Sequence, residues 1–207
     1  MIKRIIFDLD NTLIMWQPEY INALKKTIEK YNNGLNPNYI NDLIDNYELE
    51  HNYYDKKLLL EYINKNIIEL IDMNFVDEFL YNIGFMSEPN QKVIETLEYL
   101  NKKYELVVLT NWFTKPQTER LKHAKIDKYF KEIIGAEKIR KPYKESFINA
   151  CGNNKPDECL MIGDNYDIDV IGAHNAGLKV LYFNNNLKEN KLKFDEIKNI
   201  IELMDIL

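Results

Sequence analysis

Met1-Ile-Lys-Arg-Ile-Ile-Phe-Asp-Leu-Asp-Asn-Thr-Leu-Ile14 is the stretch that decides how the chain folds. Ile5, Ile6 and Phe7 form a short run of strand-favouring apolar residues. Bounded by polar residues, such a run reads as a buried strand. It stops at Asp8, and Asp10 follows two residues later. In a continuing strand, alternation puts both carboxylates on one side. Two acids at the end of a buried strand repel each other and lose hydration, which a cation or a set of donors must offset. Open α/β sheets hold their ligands at those strand ends. The stretch therefore suggests a metal and phosphate site with one Asp as nucleophile. A plainer reading makes Asp8 and Asp10 the start of a turn, with Asn11 and Thr12 as turn or cap residues. Asp-x-Asp is a common tripeptide, so the remaining sequence must decide.

At 207 residues the chain has room for one large domain or a domain with an insertion. Its formal net charge of -6, with no basic block, argues against non-specific nucleic-acid binding. Cys151 and Cys159 show no metal or redox spacing, and no apolar leader follows Met1. Both features predict reduced thiols and a cytoplasmic protein. No run approaches the length of a membrane-spanning helix, so no membrane partner is expected. The sequence carries no signal for oligomeric state.

Between Tyr20 and about Phe85 the pattern is helical. Tyr20, Ile21, Leu24, Ile28 and Tyr31 recur at helical spacing, as do Tyr39, Ile40, Leu43, Ile44 and Tyr47, and then Leu58, Leu59, Tyr62, Ile63, Ile67 and Leu70. Phe75, Phe79 and Leu80 suggest a fourth helix. Pro18, Asn32-Asn-Gly34 and Asn36-Pro37 mark boundaries. More than half of the 14 tyrosines lie here, and an aromatic stripe at this spacing predicts helix packing.

From Pro89 strands alternate with helices. Leu106–Leu109, Ile133–Ile134, Cys159–Ile162 and Lys179–Phe183 read as strands, the last being the final one. Helices are predicted over Gln91–Lys102, from Thr114 to about Ala124, around Phe147–Ala150, over about Ile168–Asn175, and over Phe194–Leu207. Thr114 and Gln117 have capping-box spacing. The pattern predicts an α/β fold, a Rossmann-like parallel sheet with helices on both faces, plus an inserted α-helical cap. The expected division is a discontinuous core over 1–15 and 88–207 and a cap over 16–87.

Three predicted strands end in polar groups: Asp8/Asp10, Thr110/Asn111 and Asp164. In a parallel sheet those ends share one rim. The acids suit a hard cation such as Mg²⁺. Thr110, the neighbouring backbone amides and Lys141 suit phosphate oxygens. These residues match a known pattern. Asp8-Leu-Asp10-Asn-Thr12, Leu109-Thr110-Asn111, Lys141-Pro142 and Gly163-Asp164-Asn-Tyr-Asp-Ile-Asp169 stand in order at strand ends. Together they resemble the four motifs of the haloacid-dehalogenase-like (HAD) hydrolase superfamily. The helical insert resembles its C1-type cap. Tyr143 and Lys144 depart from the acidic or small residue and the Pro that often follow the Lys-Pro pair.

The resemblance implies a set of roles. Asp8 would attack phosphorus and become an aspartyl phosphate. Asp10 would protonate the leaving oxygen and then activate water. Asp8, the Asp10 backbone carbonyl and Asp164 would bind Mg²⁺. Thr110 and the Asn111 amide would bind the phosphoryl group, with Lys141 neutralising it and orienting Asp8. Asp169 would stand behind these groups and position Lys141 or a metal-bound water. The superfamily's dehalogenases lack the second acid, so Asp10 favours phosphoryl transfer. The expected partner is a small phosphomonoester. Trp112 stands where nucleotidase and sugar-acid phosphatase branches commonly carry Gly. It is expected either to stack on a base or to pack under the cap. With Trp16 and Tyr20 it suggests a nucleoside monophosphate; phosphoglycolate, sugar phosphates and a phosphomutase reaction are alternatives. A phospho-accepting receiver domain would carry its acceptor on a later strand and no large insert. A non-catalytic binding protein on this fold would be expected to have lost Asp8 or Asp10.

Overall fold

The Ile5-Ile6-Phe7 run forms β1 (Arg4–Phe7), buried along its whole length. It lies inside a six-stranded sheet in a computed structural model that describes residues 1–31, 34–85 and 89–207. The other strands are β2 (Glu105–Leu109), β3 (Glu132–Ile134), β4 (Cys159–Gly163), β5 (Lys179–Phe183) and β6 (Glu196–Ile197). All pair in parallel, in the order β3-β2-β1-β4-β5-β6. The chain fills one side of β1 through β2 and β3, then returns to fill the other through β4, β5 and β6. The strand order therefore reverses between β1 and β4, where open α/β sheets leave a crevice beyond the strand ends.

Alternation along β1 divides the core between the two faces of the sheet. Ile5 and Phe7 join Leu106, Val108 and Ile162 under Val93, Leu97 and Leu100 of α5 (Gln91–Leu100) and Leu121 of α6 (Thr114–His123). Ile6, Val107 and Met161 face the opposite way. There they meet Phe147 and Ala150 of α7 (Lys144–Cys151) and Ala173 and Ala176 of α8 (Gly172–Ala176). The predicted layers are thus present.

Among the described residues the insert contains four helices, α1 (Glu19–Tyr31), α2 (Pro37–Glu50), α3 (Lys56–Asn64) and α4 (Met73–Ile83). Asn36, Asp55 and Asp72 cap the last three by accepting hydrogen bonds from first-turn N–H groups. Their apolar stripes close a separate core around Leu24, Ile44, Tyr47 and Phe79, which Trp112, Phe113 and Ala136 enter from the sheet side. Tyr20, Tyr47 and Tyr54 are buried in this packing, whereas Tyr39, Tyr53 and Tyr81 are exposed. The break at Asn32-Asn33 and the expected boundary at 87/88 fall outside the described residues.

α3 ends at Asn64, so Ile67 and Leu70 of the predicted stripe lie beyond it, and two further local expectations are overturned. Phe194–Leu207 is not one helix, and β5 is not the final strand. The segment forms β6, a 3₁₀ turn at Ile200–Glu202 and α9 (Leu203–Ile206). The Tyr182 and Asn184 N–H groups donate to the carbonyls of Asp195 and Ile197, so the free edge of β5 captures the segment's start. Ile197, Ile200 and Leu203 still fill the core. Their three-residue spacing satisfies a strand followed by a turn as well as it satisfies a helix. The second concerns the capping box, which does not form. Thr114 is already helical, and its hydroxyl donates to Glu137 and accepts from the Gly135 N–H. Gln117 is buried instead, with its amide on Asp10 and Thr110.

Candidate active site

Asp8 directly follows β1, Thr110 follows β2 and Asp164 follows β4, so neighbouring parallel strands deliver all three to one rim. Lys141 reaches that rim from the loop before α7. Its ammonium, 2% exposed, donates to Asp8 Oδ1 and to Asp169 Oδ1, each at 2.7 Å. The Lys141 N–H donates to Asn111 Oδ1 at 2.7 Å, and Asn111 Nδ2 donates back to the Lys141 carbonyl at 3.0 Å. The Asn111 side chain therefore clasps the backbone that carries the lysine. Thr12 donates to Asp8 Oδ2 at 3.0 Å and accepts the Asp164 N–H at 3.1 Å, joining the ends of β1 and β4.

Asp169 sits on a helical turn of π type, Tyr166–Ile171, and Oδ2 accepts the Asn165 N–H. Its carboxylate lies against the end of β4 only because residue 163 is glycine. A Cβ there would fall 2.3 Å from Asp169 Oδ2. The Gly163-Asp164-x₄-Asp169 spacing thus has a steric cause.

Asp10 is held apart from this group. Arg120, fully buried, forms an ion pair with Oδ1, and Gln117 Nε2 donates to Oδ2 at 2.9 Å. Gln117 also donates to Thr110 Oγ1 at 3.2 Å, which leaves the Thr110 hydroxyl proton for a phosphoryl oxygen. The Thr110 N–H is already given to Ile134, so the amide available beside it is that of Asn111. The sequence pattern does not mark Gln117 or Arg120 as site residues. Their signal was an i, i+3 polar pair on the buried face of the helix directly after Thr110.

Electrostatics separate the acids. Burial and the neighbouring charges of Asp8 and Asp169 raise Asp164 to about 7. Burial raises Asp169 to about 6 despite Lys141. Burial also raises Asp10, aided by Asp8 and opposed by Arg120. Burial alone would lower the Lys141 ammonium, but Asp169 and Asp8 outweigh it and the net shift is upward.

One observation tests whether a metal fits. Carboxylate oxygens of Asp8, Asp164 and Asp169 lie within 4.8 Å of one another, with a single ammonium between two of them. The one Thr12 hydroxyl proton serves Asp8 at 3.0 Å better than Asp164 at 3.5 Å. Among the described residues no cation pairs with Asp164, and its hard oxygen donors suit Mg²⁺. Asp169 is occupied by Lys141 and Asn165, which suits a positioning role behind the ligands.

A cleft of about 280 Å³ opens over these groups. It is lined by Asp8, Asp10, Thr110, Asn111, Lys141, Asp164 and Asp169, with Asn11, Trp16, Asp45, Glu48, Asn165 and Ile168. Three larger hollows, of about 690, 620 and 550 Å³, lie elsewhere and gather no such set. Of the three aromatic candidates, only Trp16 lines the cleft. Tyr20 and Trp112 are each 1% exposed and pack edge-to-face with ring centroids 5.3 Å apart. Of the two expectations for Trp112, packing under the cap is the one the geometry meets. Its indole is enclosed by Tyr54, Phe79 and Phe113 and has no open face for a base. Among the described residues, no helix is long and apolar enough to cross a membrane.

The chain is similar to several known proteins. Pyrophosphatase PpaX of Bacillus mycoides is 26% identical over 203 residues, covering 90% of this chain and 86% of that one. Glyceraldehyde 3-phosphate phosphatase of Pyrococcus furiosus is 28% identical over 198 residues, covering 88% and 80%. The crystal structure of a predicted phosphoglycolate phosphatase from Haemophilus somnus superposes with a TM-score of 0.72 at 25% identity, covering 99% and 97%. The family model for haloacid dehalogenase-like hydrolases matches residues 5–183, a span that holds β2 to β5, most of β1, the strand-end acids and Lys141: the chain belongs to the haloacid dehalogenase-like hydrolases.

Proposed function

We propose that this hydrolase is a Mg²⁺-dependent phosphatase that cleaves a small phosphomonoester through an aspartyl phosphate on Asp8. One observation carries the reading. Asp8 is fixed by Lys141 and Thr12, while a second acid, Asp10, is held separately by Arg120 and Gln117. A nucleophile and a proton carrier two residues apart are thus kept in different environments, which is how one site divides two roles between two carboxylates.

In the first step an Asp8 oxygen bonds to phosphorus as the ester P–O bond breaks, and Asp10 gives its proton to the leaving oxygen. In the second, Asp10 takes a proton from water, the water oxygen attacks phosphorus, and Asp8 is released with inorganic phosphate. Thr110 and the Asn111 amide bind the phosphoryl oxygens, and Lys141 holds Asp8 in place. Asp8, Asp164 and the Asp10 carbonyl would hold Mg²⁺, which when bound offsets repulsion between nucleophile and phosphate. Residues 16–87 act as a cap and exclude bulk water. The buried free thiols of Cys151 and Cys159 suit a reducing, cytoplasmic setting.

The similar proteins act, by name, on different phosphates, which supports the reaction more than any one leaving group. A cleft of about 280 Å³ and the burial of Tyr20 and Trp112 favour a compact leaving group over a nucleoside. The test is Asp8→Asn assayed on p-nitrophenyl phosphate with Mg²⁺. Turnover should fall on the order of 10³-fold or more while the protein stays folded. A near-normal rate would refute the mechanism.

A further inference from the structure

Among the described residues the cleft lining holds six carboxylates and one ammonium. At the phosphoryl end, Lys141 is the single cation of the lining, and Asp8 and Asp169 already engage it. At the other end, α2 presents Asp45 and Glu48, and Trp16 adds an aromatic side chain. Glu48 has its own partners: Asn111 Nδ2 at 3.0 Å, the Tyr54 hydroxyl at 3.1 Å and the Arg140 guanidinium at 3.5 Å. Asp45 accepts from the Asn41 amide at 3.0 Å, and among the described residues no cation pairs with it. A leaving group that carried a carboxylate or a second phosphate would meet Asp45 with no basic group to receive it. A leaving group that carried an ammonium would meet a free carboxylate and an indole, which attract cations by charge and by the ring quadrupole.

We propose that Asp45, with Trp16 lining the same cleft, selects a cationic leaving group, so that the preferred substrate is the phosphate ester of a small amino alcohol. The proposal rests on the phosphatase reading above. The products are the amino alcohol and inorganic phosphate, with water supplying the oxygen and the alcohol taking its proton from Asp10. Asp45 acts on specificity and takes no part in bond breaking. Burial, Glu48 and Asp42 all raise the Asp45 carboxyl, the direction expected of an acid that lacks a cation.

The experiment compares kcat/KM for O-phosphoethanolamine, glycerol 1-phosphate and phosphoglycolate, with p-nitrophenyl phosphate as a general reporter, in wild type and Asp45→Asn. The three esters are cationic, neutral and anionic in their leaving groups and similar in size. Wild type should prefer the cationic ester to the anionic one by about three- to tenfold, as expected when an exposed carboxylate attracts one leaving group and repels the other. Asp45→Asn should reduce that ratio severalfold, Asp45→Glu should keep most of it, and added salt should shrink it. Phosphoglycolate equalling or exceeding phosphoethanolamine would overturn the selection while leaving the phosphatase reading intact. So would glycerol 1-phosphate matching phosphoethanolamine, or a ratio unchanged in Asp45→Asn. Failure to hydrolyse any ester, p-nitrophenyl phosphate included, would overturn both.

Discussion

Lys141→Met removes the ammonium that joins two buried carboxylates at 2.7 Å each and keeps a side chain of similar length. Asp8 and Asp169 would then face Asp164 with no cation among three acids whose oxygens lie within 4.8 Å. Removing one partner of a buried ion pair costs about 3–5 kcal/mol. For a domain of this size that corresponds to a fall in Tm of about 6–20 °C. Asp164 at about 7 and Asp169 at about 6 lie above the usual carboxylate range. The folded chain therefore binds more protons than the unfolded chain over roughly pH 4–7, and the contribution of these groups to stability falls as pH rises through that window. Without Lys141 this dependence steepens. The Tm deficit should be largest near about pH 8 and smaller near about pH 6, and Mg²⁺ should recover part of it. Thermal unfolding of both proteins at the two pH values, with and without Mg²⁺, measures each quantity. Phosphatase activity should fall on the order of 10²–10³-fold, because the charge that fixes the nucleophile is lost. A deficit below about 3 °C at the higher pH, or one that grows on acidification, would refute the electrostatic account.

Exhaustive chelation should stop turnover and Mg²⁺ should restore it, whereas Ca²⁺, which is larger and takes more ligands, should support it poorly; full activity in chelator would contradict the acid cluster's assigned role. Trp112→Ala should cost about 3–5 kcal/mol of stability, since the indole is enclosed by cap aromatics. A selective loss of activity on nucleotides, with Tm unchanged, would restore the stacking role to Trp112.

The parts of the fold that were readable are those where one physical cause dominates. The run at Ile5–Phe7 is apolar on both faces, so it can only be a central strand, and the acids after it fix the rim. The insert was readable because helical spacing persists over many turns without a competing strand signal. Phe194–Leu207 failed for the opposite reason. Its apolar residues fit two structures, and a backbone pairing with β5, which no pattern encodes, decided between them. Gln117 failed because a local rule competed with a distant one. Its spacing from Thr114 signals a cap, but Asp10 and Thr110, brought close by the sheet, take its amide. Trp112 could be assigned to neither role from sequence, because which residues roof the cleft depends on how the insert docks.

The docking also links the chemical end of the cleft to its selective end. Asn111 holds Lys141 by both backbone groups and gives its remaining amide proton to Glu48 of α2. Arg140, the residue before Lys141, donates its N–H to the Asn52 carbonyl and its Nε to the His51 carbonyl, both just beyond the end of α2. The loop that aims the ammonium at Asp8 is therefore bonded to the helix that carries Asp45. A displacement of α2 breaks bonds to the two residues that orient Lys141, while Thr12 and Gln117 keep Asp8 and Asp10 on the sheet side. Substitutions along α2 that loosen this docking should therefore act through the placement of Lys141, changing kcat as well as KM, whereas a change confined to the Asp45 carboxylate acts on the leaving group.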